Sequence, residues 1–343
     1  MLLREYPEQS MTPPQSQVPV RTDTATNRTQ RFSSRRWLLA ATALLIVWLI
    51  PNAIHAETVR KISLTFDDLP GLGPMGFWRP REISNMILRT MANYDIKAAG
   101  FVVEQRIEKD PSTFVVLEDW IERDHIVGNN TFAHVDLHQL ERRDFLEHVE
   151  DGQIYLKKLS RLKRFNFKYL RFPYLHQGET LKKKNRIAKS LYRGGYEIAP
   201  VTIKMPDYRF NRVYLEVQDD EKPREQLKEI YLNELKKGVE YGEKQSQAVF
   251  GRNIPHILWL RCTIATGAFL EDLIEQLQAQ GYSFVSFPEA LSDPAYKTEE
   301  LYAGPLSLSF IDRVAATRGL PFDPEHGELK EKEIERRMKT EDE

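Results

Sequence analysis

From residue 57 onward the chain alternates short apolar runs with longer stretches in which apolar side chains recur at helical spacing. The short runs cover 62–66, 98–103, 125–128, 169–172, 198–203, 257–261 and 284–287, and their length and composition predict strands. Between them the helical pattern covers 82–94, 112–123, 142–162, 181–194, 223–250 and 269–280. The helix over 181–194 is well bounded, with Gly178-Glu179-Thr180 before it and Gly194-Gly195 after it. Strand then helix, repeated about seven times, predicts an α/β domain on a parallel sheet, closed as a barrel or open and doubly wound.

The ends of the chain read differently. Residues 1–34 are polar and rich in Thr, Ser, Gln and Pro, a composition that does not repay ordering, and a disordered leader is expected. Arg35 and Arg36 precede an uncharged apolar run from Trp37 to Ile50, and small residues follow up to Ala56. That run is short for a full span and suits a signal peptide over 35–56. A retained membrane anchor is the alternative. Both place the working domain, 57–318, outside the cytoplasm, in the periplasm or beyond it. The segment 319–343 is so charged that a solvated helix or a disordered end is expected.

Composition narrows the function classes. A chain of 343 residues with 41% hydrophobic residues can bury a substantial core. The formal net charge of −1 lacks the basic footprint of a nucleic-acid binder, so DNA and RNA are not expected partners. Cys262 is the sole cysteine, which excludes an internal disulfide and a cysteine-rich zinc site.

Parallel α/β folds gather their chemistry where strands end. The first strand ends in Asp67-Asp68, two like charges whose burial requires a cation or hydrogen bonds nearby. The third runs into Asn130 and then His134 and His138, and the fourth carries Arg171, Pro173, Tyr174 and His176. The fifth leads to Lys204, Asp207 and Tyr208, and the sixth ends in Arg261. Carboxylates, imidazoles and guanidinium groups from distant segments are thus expected on one rim.

TFDD, GNNTFAH, RFPY, the PVTI stretch entering Asp207-Tyr208, and GYSFVSFPEAL occur in an order that resembles the polysaccharide deacetylases, carbohydrate esterase family 4. The resemblance spans roughly residues 60–318. It implies a distorted (β/α) barrel of about seven parallel strands, and metal-dependent removal of acetyl groups from an N-acetylated glycan. It also implies Asp67 as general base, Asp68 and His134 as ligands of a zinc- or cobalt-type divalent metal, and Arg171 as the partner of the base. Tyr174 and Tyr208, with Pro173, would form a sugar-binding rim.

This chain departs from the family pattern at three places. Asn130 stands where the first histidine of the metal motif is written, leaving His138 as an alternative ligand. Lys204 replaces an aspartate, and Arg261 replaces the histidine acid. Guanidinium can stabilise an oxyanion but is a poor proton donor, and Arg261 and Lys204 can neutralise the acidic pair as a metal would. Two functions follow: a divergent polysaccharide N-deacetylase, or a catalytically degenerate member that binds glycan or serves as an envelope scaffold. A deacylase acting on a non-sugar amide is a third.

Overall fold

The protein is described from a computed structural model covering residues 60–72 and 80–340. The expected leader and the export segment over 35–56 lie outside the described residues. The strands are β1 (Arg60–Leu72), β2 (Ala99–Val102), β3 (Ile126–Asn129), β4 (Tyr169–Leu170), β5 (Glu197–Ile198), β6 (Ile203–Lys204), β7 (His256–Thr263) and β8 (Tyr282–Phe284). All pair in parallel, in the order β5-β4-β3-β2-β1-β7-β6, with β8 beside the start of β1.

The predicted strand at 198–203 is two strands at opposite ends of this order. Pro200 has no N–H to give to a ladder. Ala199 still donates to Leu170 O at 2.8 Å, while Thr202 donates to Ile257 O at 3.0 Å. One stretch of chain therefore touches β4 on one side and β7 on the other, so the sheet curls into a barrel-like ring.

Along β1 the side chains alternate between two environments, as the pleat requires. Ile62, Leu64 and Phe66 are fully buried in a cluster with Ile83, Ile87 and Trp120 of α1 (Pro80–Asn93) and α3 (Phe114–Glu122). Ser63, Thr65 and Asp67 occupy the other face, also buried. Thr65 Oγ1 donates to Leu258 O at 2.8 Å and accepts from Arg171 Nη2 at 3.2 Å. The period of two thus carries Asp67 onto the face that meets Arg171.

The predicted helix over 142–162 is broken into α4 (Arg142–Asp151) and α5 (Ile154–Lys163). The break has a local cause. Phe132 N–H donates to His148 O at 2.8 Å, and a Cβ on Gly152 would stand 2.6 Å from Phe132 N. The loop after β3 therefore seats against the last turn of α4. Glu104, the first residue of α2 (Glu104–Lys109), accepts hydrogen bonds from Tyr155 N and Leu156 N at the start of α5. Burial pushes its carboxyl up to about 7.

Four described α-helices do not figure in the sequence prediction, α2, α7 (Asp207–Val217), α10 (Phe287–Leu291) and α11 (Phe310–Thr317), and the charged C-terminal segment forms the helix α12 (Glu331–Thr340). Instead of being solvated all round, it buries Ile334 and Met338 against the main core and packs on α7 and on α8 (Glu221–Phe250). Two apolar residues four apart suffice for one docked stripe. No described helix is long and apolar enough to cross a membrane.

Candidate active site

Asp67 and Asp68 lie inside β1, where its register with β7 breaks, and they face side chains that come from the loop after β3, from the end of β4 and from β7. Asp67 is paired in register with Arg261, and its Oδ1 lies 3.9 Å from Arg171 Nε. Both Asp67 and Arg171 are almost wholly buried. Neither carboxylate oxygen has a hydrogen-bond partner among the described residues. Burial raises the Asp67 carboxyl to about 6, with Arg171 opposing the rise and Asp68 adding to it. Arg171 is itself fixed from two sides, by Thr65 and by the Phe101 ring 4.5 Å below its guanidinium.

Asp68 faces a different set of partners. Arg106 of α2 donates from Nη2 to Asp68 Oδ1 at 2.7 Å and from Nη1 to Asp68 O at 2.6 Å. Arg261 Nε stands 4.0 Å from Asp68 Oδ2. Burial tends to raise this carboxyl, but Arg106, His134 and Arg261 together outweigh it and hold Asp68 below the usual carboxylate range. His134 is held below the ordinary imidazole range by burial, against the opposing pull of Asp68. Its ring meets that of Tyr174 at 4.8 Å, edge to face.

Arg261 is positioned by Asp207. Its Nη1 donates to Asp207 Oδ1 at 2.6 Å, its backbone N–H donates to Asp207 Oδ2 at 2.5 Å, and Thr266 Oγ1 also donates to Oδ2. Burial nevertheless holds the Asp207 carboxyl above its ordinary value, against Arg261. The guanidinium lies over Trp259 at 4.1 Å and Tyr208 at 4.7 Å. Asp207 is fully buried and is occupied with Arg261. Lys204 points elsewhere. Its Nζ donates to Ser307 O at 2.9 Å and to Glu328 Oε1 at 3.2 Å, so its charge is met by the tail and not by the acidic pair.

These groups open into a cleft of about 380 Å³ lined by Asp68, Arg106, His134, Tyr174, Tyr208 and Arg261, among others. Pro173 is buried, whereas Tyr174 and Tyr208 present exposed rings to the rim. Asp68, Thr131, His134, Tyr174 and Leu175 all have φ between 53° and 72°, although none is glycine. Left-handed backbone at non-glycine residues is costly, of order 1 kcal/mol or more each, and its concentration here marks the loops as shaped for function.

The cation that the resemblance implies would lie among Asp68, His134 and Asn130. Asn130 is fully buried with neither amide atom bonded, and a neutral amide is a weak substitute for imidazole. The Asp68 carboxylate is already engaged by one guanidinium and faced by a second. Two fixed positive charges oppose a divalent ion where only one imidazole and one carboxylate favour it. Asp68, His134 and Asn130 therefore do not fit a zinc-type ion. His138, the alternative ligand, lies outside this group, stacked on His176.

Arg106 has no counterpart in the sequence reading. It belongs to a short helix, distant in sequence from Asp68, and nothing in its local pattern separates it from a surface arginine. Only the parallel pairing of β1 with β2 brings that helix over Asp68.

The sequence model of the polysaccharide deacetylases matches residues 55–191, which include Asp67, Asp68, His134 and Arg171 but not Asp207 or Arg261. No curated protein matches. Among solved structures, the chain is similar to the chitin deacetylase of the fungal pathogen Colletotrichum lindemuthianum. That match has 21% identity, 68% of this chain and 87% of that one covered, and a TM-score of 0.46. A polysaccharide deacetylase of Bacillus cereus has 16% identity, 66% and 91% coverage and a TM-score of 0.46. A CE4 family pseudoenzyme of Bacillus anthracis has 15% identity, 68% and 66% coverage and a TM-score of 0.43.

Proposed function

We infer that this chain, whose residues 55–191 match the sequence model of the polysaccharide deacetylases, hydrolyses N-acetyl amide bonds of an amino-sugar polymer in the cleft beside Asp67 and Asp68. The observation that carries the reading is Asp67: a carboxylate without hydrogen bonds, buried beside Arg171, with its pKa raised to about 6. A base poised near neutrality takes a proton from water efficiently and returns it readily.

Asp67 takes a proton as the water oxygen bonds to the acetyl carbonyl carbon. The oxyanion that develops faces Arg261 and Arg106, whose guanidinium groups stabilise it but do not protonate the leaving nitrogen. Asp67 passes its proton to that nitrogen as the carbon–nitrogen bond breaks. The products are acetate and a free amine. Asp207 keeps Arg261 oriented, and Tyr174 and Tyr208 offer ring faces for sugar stacking.

A second reading is favoured by the Arg106–Asp68 pair. A site whose carboxylate is neutralised by guanidinium is suited to hold an N-acetylated glycan without cutting it, as a binding or scaffold member of the same fold. Acetate release from N-acetylglucosamine oligomers separates the two. Release that is abolished in Asp67→Asn supports hydrolysis. Saturable oligosaccharide binding with no release supports the binding module. We also propose export directed by residues 35–56, with a retained anchor as the alternative; N-terminal sequencing of the protein recovered from the cell envelope decides between them.

A further inference from the structure

Beside the cleft, two loops bring together a second set of donors. Asp136 caps the 3₁₀ turn Leu137–Gln139, and its Oδ1 accepts from His138 N at 2.9 Å. His176 arrives from the loop after β4, at the end of the 3₁₀ turn Pro173–Leu175. Its Nδ1 lies 2.9 Å from the same Asp136 oxygen. The rings of His138 and His176 stack 4.0 Å apart and 8° from parallel. One ligand atom from each residue lies within 4.8 Å of the other two, and among the described residues this is the one such group of three.

We propose that Asp136, His138 and His176 form a binding site for one divalent transition-metal ion of the zinc class, at the edge of the cleft and separate from Asp68. Three features carry this. Two imidazoles and a carboxylate are the donor set that zinc, cobalt and nickel prefer over magnesium or calcium. The donors are pre-positioned. Asp136 is tied to the backbone of its own turn, and its contact with His176 Nδ1 holds that imidazole beside it, so that an ion would displace the proton the two groups share. The remaining polar contact at the group is Gly178 N–H to His138 Nε2, at 3.3 Å, long enough to yield to a stronger partner.

The charge balance also differs from that at Asp68. Among the described residues no arginine or lysine is ion-paired with Asp136; its close partner is His176. Nearby Lys183 is paired with Glu179 at 3.1 Å. The side chains of Asp136 and His176 keep 14% and 17% exposure, enough for an ion to enter and for water to complete its shell. Zinc-ligand bonds of about 2.0–2.2 Å require the donors to close by roughly 1 Å, a side-chain adjustment. His176 also lines the cleft, so the ion would stand at its wall.

The site is tested on the untagged full-length chain after metal removal, by calorimetric titration with zinc and by the visible spectrum of bound cobalt. One ion per chain is expected, together with an absorbing low-coordinate cobalt spectrum. His138→Gln and His176→Gln should each weaken binding at least about tenfold, and Asp136→Asn by a similar factor. Asp68→Asn and His134→Gln should leave it unchanged. Far-ultraviolet circular dichroism identifies any variant that fails to fold, and the other two ligand variants then decide. Absence of saturable binding by the wild type overturns the proposal. So does binding that is lost in Asp68→Asn or His134→Gln and kept in the ligand variants. Acetate release is not the readout, so a failed hydrolytic assignment and a failed metal site are told apart.

Discussion

Arg106 grips Asp68 twice, with Nη2 on the carboxylate at 2.7 Å and Nη1 on the backbone carbonyl at 2.6 Å. This pair places a guanidinium where the motif reading expects a metal, and it fixes the left-handed turn at Asp68 (φ 72°). It also has consequences for stability, because a buried carboxylate that loses its partner is costly.

Arg106→Gln is expected to destabilise the protein by about 3 kcal/mol, the low end for breaking a buried pair, since Arg106 is itself partly exposed. Asp68 is held below its usual range in the fold. Its contribution to stability is therefore present above the unfolded carboxylate pKa, near 4, and is lost as pH falls through the lower folded value. Denaturant unfolding from neutral pH down to about pH 3 should show that acid-side loss in the wild type, and less of it in Arg106→Gln. An equal acid slope in both would remove Arg106 as the principal partner.

Acetate release, under the hydrolytic reading, should follow the ionisation of Asp67. The raised carboxyl, about 6, must be deprotonated to act. The rate at low substrate should therefore rise about tenfold per pH unit below 6 and level off above it. Asp67→Asn should lower it by a hundredfold or more. A rate independent of pH between 4.5 and 7 would exclude Asp67 as the base.

Restoring the family's histidines should not by itself create a metal centre at Asp68. Asn130→His with Arg261→His still leaves Arg106 on the carboxylate. The double variant is expected to bind no additional zinc, while the triple variant that adds Arg106→Ala binds one more ion. Calorimetry in an Asp136→Asn background isolates that second site. Full occupancy in the double variant would show that Arg106 yields freely.

The charged C-terminal helix should prove part of the folding unit. Ile334 is fully buried in the main core, and Ile334→Ala is expected to cost about 2–4 kcal/mol in denaturant unfolding. A change below about 0.5 kcal/mol would mean that α12 is detached in solution.

Much of this molecule is written locally. Alternating apolar positions and capping residues mark β1, β2, β3 and β7, and helices such as Leu181–Arg193, because pleat and helix periods depend only on neighbours in sequence. The same patterning places Asp67 and Asp68 just after the apolar run of β1, and His134 and Arg171 after β3 and β4, on the side where a parallel fold gathers such groups. Other features depend on segments far apart in the chain. The split of 198–203 into two strands at opposite ends of the sheet follows from ring closure. The break at Gly152 follows from a loop that packs on it, and the docked face of α12 from a core whose shape its own sequence does not contain. Electrostatics is the least local of all. Which cation meets which carboxylate, Arg106 on Asp68, Arg261 on Asp207 and Lys204 on Glu328, is set by three-dimensional proximity, and charge acts through space without regard to chain order.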